Sequence, residues 1–259
     1  MTWLSFDVVT ARDEQPPRRC FMPTTLYFVR HAQSDPRHSL DNSEYPLSPI
    51  GEQQADDIVP LLETLNVTRM YCSPFLRCRQ TIRPFAHHAN IEIRTHHDLR
   101  EKTSTLRLIA DFEAVWQRSW DDSGFALPDC ESSREAATRF SGAVAAIVAA
   151  HPGETIGISS HGHVIGLFLN RLQAWFGGDQ TKGLRHPDII KVIHTSGQFE
   201  WDRAFEVPGL SNIATRYTHA LVRRRPSEPI CRRHGDPPHP LRKSSTTRLN
   251  WSGISQYGE

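Results

Sequence analysis

The sequence of 259 residues lacks any uninterrupted apolar run of the roughly 18 residues that a membrane-spanning helix requires. It also lacks a charged N-terminal segment followed by an apolar stretch, so no secretory signal is predicted. Its five cysteines are scattered and form no C-x-x-C pair, which is typical of reduced thiols in the cytosol. These absences predict a cytoplasmic protein with no membrane partner.

The sequence also has almost no net charge, with a formal total of +1. The charges are nevertheless unevenly placed: residues 223–259 hold eight Lys/Arg against three Asp/Glu, in a stretch rich in Pro and Ser. This composition favours disorder over a second core. Basic tails attract nucleic acid, but only Trp251 and Tyr257 offer stacking surfaces, so nucleic acid is not an expected partner.

The length suits one sizeable domain with extra segments. Residues 1–21 contain Pro16-Pro17, mixed charges and little periodicity, and we expect a poorly ordered extension there. We place one catalytic domain at 22–222 and a disordered basic tail at 223–259. No feature of the sequence fixes the oligomeric state.

Apolar periodicity within 22–222 predicts strands that alternate with helices, which is typical of a layered α/β sheet. Ser48-Pro49 is typical of a helix start, and Pro60 predicts a kink or an early end of that helix. The predicted strands are 25–29, 68–72, 91–95 and 155–159, with weaker candidates at 189–193, 198–201 and 214–221. The predicted helices are 48–65, 73–86, 106–120, 132–150 and 164–176.

Cationic or imidazole side chains follow three of these strands. The segment 26–34, LYFVRHAQS, is an apolar run that ends in Arg30-His31, while 73–81, SPFLRCRQT, follows the second strand and 159–163, SSHGH, follows the fourth. Parallel strands deliver their carboxyl ends to one edge of a sheet, where ligands bind. Helix N-termini at that edge supply N–H donors for an anion. The pattern therefore predicts an anion site that contains an imidazole nucleophile.

These three segments resemble the signatures of the histidine phosphatase superfamily, which includes the cofactor-dependent phosphoglycerate mutases. The segment 46–55, PLSPIGEQQA, resembles the helix opening of that family. The resemblance spans about residues 24–221. It implies a phosphoglycerate mutase-like fold, namely a three-layer α/β domain with a mostly parallel open sheet and helices on both faces.

The resemblance also implies catalytic roles. His31 would be the nucleophile that becomes a phosphohistidine, and Arg30 and Arg77 would clamp the phosphoryl oxygens. His161 would complete the positive pocket and stabilise charge in the transition state. Glu101, in a segment that resembles the one carrying the family's proton donor, would protonate the leaving oxygen.

Three further residues are candidates for phosphate or substrate binding. Arg37 stands where many members of the family carry an asparagine that contacts phosphate, so it either supplies a charge-assisted contact or points to solvent. Gln33 either lines the site or only shapes its loop. Gly162 follows the second histidine directly. Arginines and histidines can neutralise a phosphoryl group unaided, so neither a metal nor a cofactor is expected.

A metal hydrolase is the first alternative, because His161 and His163 form an H-x-H pair. Such a site also needs nearby carboxylates, and no such cluster is visible in the sequence. Our favoured function is a metal-independent phosphatase that cleaves phosphate monoesters, with a small-molecule phosphoester or a phosphoprotein as substrate. Mutase-type phosphoryl transfer and a non-catalytic phospho-ligand module remain alternatives. Specificity is expected from residues 102–131 and 182–196.

Overall fold

A single six-stranded sheet runs through the part of the chain that the computed structural model describes, namely residues 22–37, 39, 41–103, 111–213 and 216. The strands are β1 Thr24–Arg30, β2 Arg69–Cys72, β3 Ile93–Thr95, β4 Thr155–Ser160, β5 Asp188–Thr195 and β6 Gln198–Trp201. Their order is β3-β2-β4-β1-β5-β6. The first four strands pair in parallel, whereas β5 and β6 pair antiparallel with their neighbours.

Helices cover both faces of this sheet. The helices of the described residues are α1 Pro49–Asp57, α2 Val59–Glu63, α3 Leu76–His88, α4 Phe112–Asp121, α5 Ser133–Ala150, α6 Gly162–Leu172 and α7 Gly178–Lys182. Alternate residues of β1 divide between two cores: Leu26 and Phe28 pack with α5 and α6, while Tyr27 and Val29 pack with α2 and α3. The predicted mostly parallel α/β sheet with helices on both faces is confirmed. None of these helices is long and apolar enough to cross a membrane.

Local sequence explains where the helices begin and break. The Ser48 hydroxyl accepts a hydrogen bond from the Gly51 N–H at 3.0 Å and caps α1. Ser132 and Glu135 form a capping box at the start of α5. Pro60 lies in the first turn of α2, and the single predicted helix 48–65 is accordingly divided into α1 and α2.

Several predicted boundaries were wrong, and the two largest differences have a local explanation. Helix α3 begins at Leu76 rather than at Ser73, because a residue before proline favours extended backbone and Phe75 is extended as well. Helix α6 ends at Leu172 rather than at 176, since Gln173 leaves the helical region with φ −143° and ψ 99°. The predicted segments 1–21, 214–221 and 223–259, and the start of the predicted helix 106–120, lie outside the described residues apart from Arg216.

Candidate active site

The carboxyl ends of β1, β2 and β4 meet at one edge of the sheet. The His31 N–H donates to the Ser160 carbonyl at 3.0 Å, and the Ser73 N–H donates to the Ser159 carbonyl at 2.9 Å. These bonds fix the first residues beyond β1 and β2 against the end of β4, where His161 follows. Three segments that are distant in the sequence thus share one location.

Arg77, in the first turn of α3, connects the two histidines. Its Nε donates to His31 Nε2 at 3.1 Å and its Nη2 donates to His161 Nδ1 at 2.9 Å. Its remaining nitrogen, Nη1, donates to the Asn42 carbonyl at 2.6 Å. The guanidinium is buried and lies 5.1 Å from the ring centroid of Phe75. One planar cation therefore sets the position of both imidazoles.

The hydrogen bonds of His31 define its tautomer. Nδ1 lies 2.7 Å from the Ala32 carbonyl, which can only accept, so Nδ1 carries the proton. Nε2 accepts from Arg77 and therefore keeps its lone pair. Burial, together with the charge of Arg77, holds the pKa of His31 well below its usual range. The ring is neutral and its Nε2 is unprotonated, with the lone pair hydrogen-bonded to Arg77, and an unprotonated nitrogen is what a nucleophile requires.

His161 is held in the opposite tautomer. Its Nδ1 accepts from Arg77, so its Nε2 carries the proton and donates to the Ser73 hydroxyl at 2.7 Å. The Cys78 sulfur lies 3.4 Å from the same Nε2. Burial lowers the pKa of His161, and the nearby arginines lower it further. The centroids of the His31 and His161 rings are 5.3 Å apart.

Arg30 enters the site from the other side. One of its terminal nitrogens donates to the Leu184 carbonyl, while its buried Nε has no hydrogen-bond partner. Gly162 leaves room for this guanidinium, because a Cβ there would lie 2.8 Å from Arg30 Cζ and Nε. A phosphoryl oxygen is a suitable partner for the unsatisfied Nε–H.

For the phosphatase activity predicted from the sequence, we expect Gly162→Ala to cause a loss of about 10-fold to 100-fold, because the added methyl group displaces Arg30, which that prediction assigns to the phosphoryl oxygens. Gly142→Ala is the matched control, since no atom lies within 4 Å of the Cβ position on that exposed helical surface. The control should keep its activity and gain up to about 1 kcal/mol in unfolding free energy. Steady-state kinetics and urea unfolding measure both effects, and equal activity of the two variants would contradict the argument.

Glu101 lies at the N-terminus of α6. Its Oε1 accepts from the N–H groups of Lys102 at 2.9 Å and Val164 at 3.2 Å, and its Oε2 accepts from the His163 N–H at 3.2 Å. The carboxylate thus closes the first turn of the helix that follows His161. It also lines a pocket together with Arg30, which places it beside the cationic centre.

Two candidates lie apart from this centre. Arg37 is exposed, and its Nε and Nη2 each donate to the Asp35 carboxylate at 2.9 Å, so it is placed toward solvent. The Gln33 side chain accepts from the Ser48 hydroxyl at 2.7 Å and its main chain bonds to Gln54 and Ser48, so it shapes the loop beside α1. Arg37 is thus positioned by a residue two places earlier in the sequence, whereas Gln33 is positioned by residues at the start of α1 and within it.

The structure adds residues that sequence reasoning did not single out. His186 donates from Nδ1 to the His31 carbonyl at 3.1 Å, and its ring centroid lies 5.0 Å from that of His31. The Ser73 hydroxyl and the Asn42 carbonyl complete the contacts described above. Ser73 is the first residue of the motif 73–81, so a polar side chain at that position could have indicated a contact with the site. His186 precedes the antiparallel strand β5, and no local pattern indicated it.

The histidine pair His161 and His163 does not form a shared ligand set. His163 points between Trp116 and Trp120, with ring centroids 4.5 Å and 5.5 Å away, whereas both nitrogens of His161 are engaged by Arg77 and Ser73. Within the described ranges, no group of three or more His, Cys, Asp or Glu is arranged to hold a metal ion.

The imidazoles of His31, His161 and His163 are buried in or beside the site and that of His186 is half-buried, and loss of hydration is the main cause that lowers the pKa of each. The pKa falls to about 4 for His186 and to about 3 for His163, and it is also lowered for His31 and His161. All four rings are consequently neutral in the folded protein at pH 7.

We expect the free energy of unfolding to fall as the pH drops from 7 to 5. Below the ordinary histidine pKa of 6.5 the unfolded chain binds protons that the buried rings do not accept. Each such histidine then costs up to about 1.4 kcal/mol of stability per pH unit. This stability is fully present above pH 6.5 and is lost as the pH falls toward the folded-state values. Urea unfolding at pH 7, 6 and 5 tests it, and a constant value would refute it.

The sequence matches a known family over most of its described length. A family description, "Histidine phosphatase superfamily (branch 1)", covers residues 26–203. Among characterised sequences, "Probable phosphoglycerate mutase GpmB" of Enterobacter sp. (strain 638) is 28% identical over 159 residues, which is 57% of this chain and 74% of the relative.

Solved structures share the fold. Bacillus stearothermophilus YhfR superimposes with a TM-score of 0.62 at 23% identity, covering 72% of this chain and 99% of its own. A mycobacterial glucosyl-3-phosphoglycerate phosphatase with inorganic phosphate superimposes with a TM-score of 0.56 at 18% identity, covering 69% and 95%. At these identities the likeness concerns the fold.

Proposed function

The chain belongs to branch 1 of the histidine phosphatase superfamily, and we propose that it hydrolyses phosphate monoesters through a covalent phosphohistidine at His31. The observation that carries this proposal is the hydrogen bonding of His31, which leaves the Nε2 lone pair beside Arg77 while Nδ1 donates to a carbonyl. Phosphoryl transfer needs an aligned nucleophile and cations for the oxygens. The cluster contains both.

The reaction takes two steps. His31 Nε2 attacks phosphorus, the bond between phosphorus and the ester oxygen breaks, and Glu101 gives that oxygen the proton it needs to leave as an alcohol. Water then attacks the phosphohistidine, its proton passes to Glu101, and orthophosphate leaves with neutral His31 restored. Arg30 and Arg77 neutralise the phosphoryl oxygens in both steps. His161, held by Ser73, supplies a further polar contact.

A phosphoglycerate mutase is the second candidate, because the sequence relatives carry that name while a fold neighbour is a phosphatase. The two activities differ only in the acceptor of the phosphoryl group, which is water in one and a second hydroxyl in the other. The motifs on which the resemblance rests serve both activities, and we favour hydrolysis because it needs no acceptor other than water. A non-catalytic module is less consistent with the retained His31, Arg77, Glu101 and His161.

The deciding experiment measures phosphate release and the isomerisation of 3-phosphoglycerate in parallel, with and without EDTA. We expect phosphate release from a phosphomonoester panel that EDTA does not reduce, and no isomerisation. Isomerisation without net phosphate release would establish the mutase. Phosphate binding without turnover of any ester would establish the binding module, and loss of activity in EDTA would establish a metal hydrolase.

Glu101→Gln is expected to lower turnover of an alkyl phosphate by about 10²-fold to 10³-fold, since the leaving alkoxide needs a proton. Its effect on p-nitrophenyl phosphate should be much smaller, because nitrophenolate departs without one. Glu52→Gln, at an exposed carboxylate of α1, is the control and should affect neither substrate. Equal losses on both esters would assign Glu101 to the capping of α6 alone.

A further inference from the structure

A pocket of about 350 Å³ opens beside the cationic centre. We call it the side pocket. Residues of five different segments line it, including Arg30, Glu101, Phe112, Trp116, His163 and Lys182. Its volume lies at the lower end of the range for small-molecule sites, which suits a compact group.

The position of the side pocket relates it to the leaving group. Arg30 belongs to the phosphoryl clamp and Glu101 to the protonation of the ester oxygen, and both line this space. The alcohol attached to that oxygen must lie on the same side as the group that protonates it. The side pocket is therefore the space that receives the alcohol portion of a substrate.

Aromatic rings form one wall of the side pocket. Phe112 and Trp116 are four residues apart on α4 and stack with centroids 6.0 Å apart and an interplanar angle of 28°. Trp116 is buried at 8% exposure, whereas Phe112 is 43% exposed and presents the accessible face of this wall. Phe112 thus offers a flat apolar surface that gains free energy when a ring covers it.

Both lysines that line the side pocket have a carboxylate near them apart from Glu101. Lys182 forms an ion pair with Glu113, and Lys102 is influenced by Glu131 and Glu135 in addition to Glu101. With Arg30 assigned to the phosphoryl group and Glu101 protonated as the acid, neither lysine is left without a carboxylate. A second anionic group on the alcohol would lose its hydration without gaining a free cation.

Besides Arg30 Nε, two buried polar atoms of residues that line the side pocket have no hydrogen-bond partner, namely Trp116 Nε1 and His163 Nε2. The neutral ring of His163 can donate or accept at Nε2, depending on its tautomer. A hydroxyl or ether oxygen on the alcohol would satisfy it.

We propose that the side pocket selects phosphate monoesters whose alcohol is uncharged and carries a flat apolar ring. This inference rests on the proposed phosphatase function and deepens it. It excludes small acidic phosphoesters such as 3-phosphoglycerate as preferred substrates, because their carboxylate would find no unpaired cation in the side pocket.

The test compares kcat/KM for benzyl phosphate, ethyl phosphate and 3-phosphoglycerate. Benzyl and ethyl alcohol are both primary alcohols, so the comparison isolates the ring. Burial of the ring is expected to raise kcat/KM for benzyl phosphate by about 10-fold to 100-fold over ethyl phosphate. Phe112→Ala should cut the ratio of the two kcat/KM values several-fold, and Phe112→Leu should cut it less.

Trp175→Ala is the matched control, because Trp175 is 52% exposed and lies outside the side pocket. It should preserve the preference for the ring, and thermal unfolding verifies that each variant is folded. Equal rates for benzyl and ethyl phosphate, or a preference for 3-phosphoglycerate, would overturn the inference and leave the phosphatase function intact. Failure to release phosphate from any of the three esters would instead refute the proposed function.

Discussion

Replacing His31 with alanine is expected to reduce the proposed phosphatase turnover by about 10⁴-fold or more, because the variant lacks the atom to which we assign the covalent intermediate. Neither of the other rings near the site can substitute. Both nitrogens of His161 are engaged, and His186 is oriented by its bond to the His31 carbonyl. The measurement is phosphate release under saturating substrate.

Acid-sensitive trapping tests the same step directly. Enzyme mixed with a radiolabelled phosphoester and quenched in alkali should carry label that survives base and is released by acid, as expected for a phosphoramidate. His31→Ala should carry none. His87→Ala, at an exposed histidine of α3, should be labelled like the unsubstituted protein. An acid-stable adduct, or full activity in His31→Ala, would falsify the phosphohistidine mechanism.

Arg77→Lys is expected to lower kcat/KM by about 10²-fold to 10³-fold although it retains the positive charge. The guanidinium makes three separate hydrogen bonds, to His31, to His161 and to the Asn42 carbonyl, and their directions match its planar shape. An ammonium group on a flexible chain cannot reproduce all three. Both rings then lose the donor that fixes their tautomers.

Arg79→Lys serves as the matched substitution, since Arg79 lies two residues further along α3 and is exposed. Its kinetics should equal those of the unsubstituted protein. The position of Arg77 also predicts that an alanine there impairs folding as well as catalysis, so lysine is the more informative change. An unchanged kcat/KM in Arg77→Lys would show that the guanidinium of Arg77 is not needed to bind the phosphoryl oxygens.

Much of this arrangement is predictable because strand direction is encoded locally. The apolar run before Arg30 indicates a buried strand, and the helical patterns between strands require parallel crossovers. Parallel neighbours then place their following residues at a common edge, without any knowledge of their contacts. This geometry alone was enough to predict that segments 26–34, 73–81 and 159–163 share one edge of the sheet. In the structure the strands that precede them, β1, β2 and β4, are neighbours in the order β2-β4-β1.

Other features depend on contacts that a local pattern does not contain. His186 reaches His31 because β5 pairs antiparallel with β1, with Asp188 opposite Arg30, and this pairing brings the preceding loop over the site. For Arg37 the sequence alone favoured neither a phosphate contact nor an orientation toward solvent. Its two hydrogen bonds to Asp35, two residues earlier, hold it toward solvent. Glu101 is likewise fixed by N–H groups of a helix that begins about 60 residues later.

The hydrogen bond between Arg77 and His31 has a consequence for chemical selectivity. In the free protein the lone pair of the nucleophile is already occupied by an N–H group, so any electrophile must first displace it. Negatively charged oxygens attract a guanidinium more strongly than a neutral imidazole does. The oxygens of a phosphate ester therefore draw the Arg77 N–H group away from His31 Nε2 and expose the lone pair. A neutral electrophile offers no acceptor that competes for this N–H group, so the lone pair of His31 stays hydrogen-bonded to Arg77. The resting protein thus screens reagents by their charge before any bond is made.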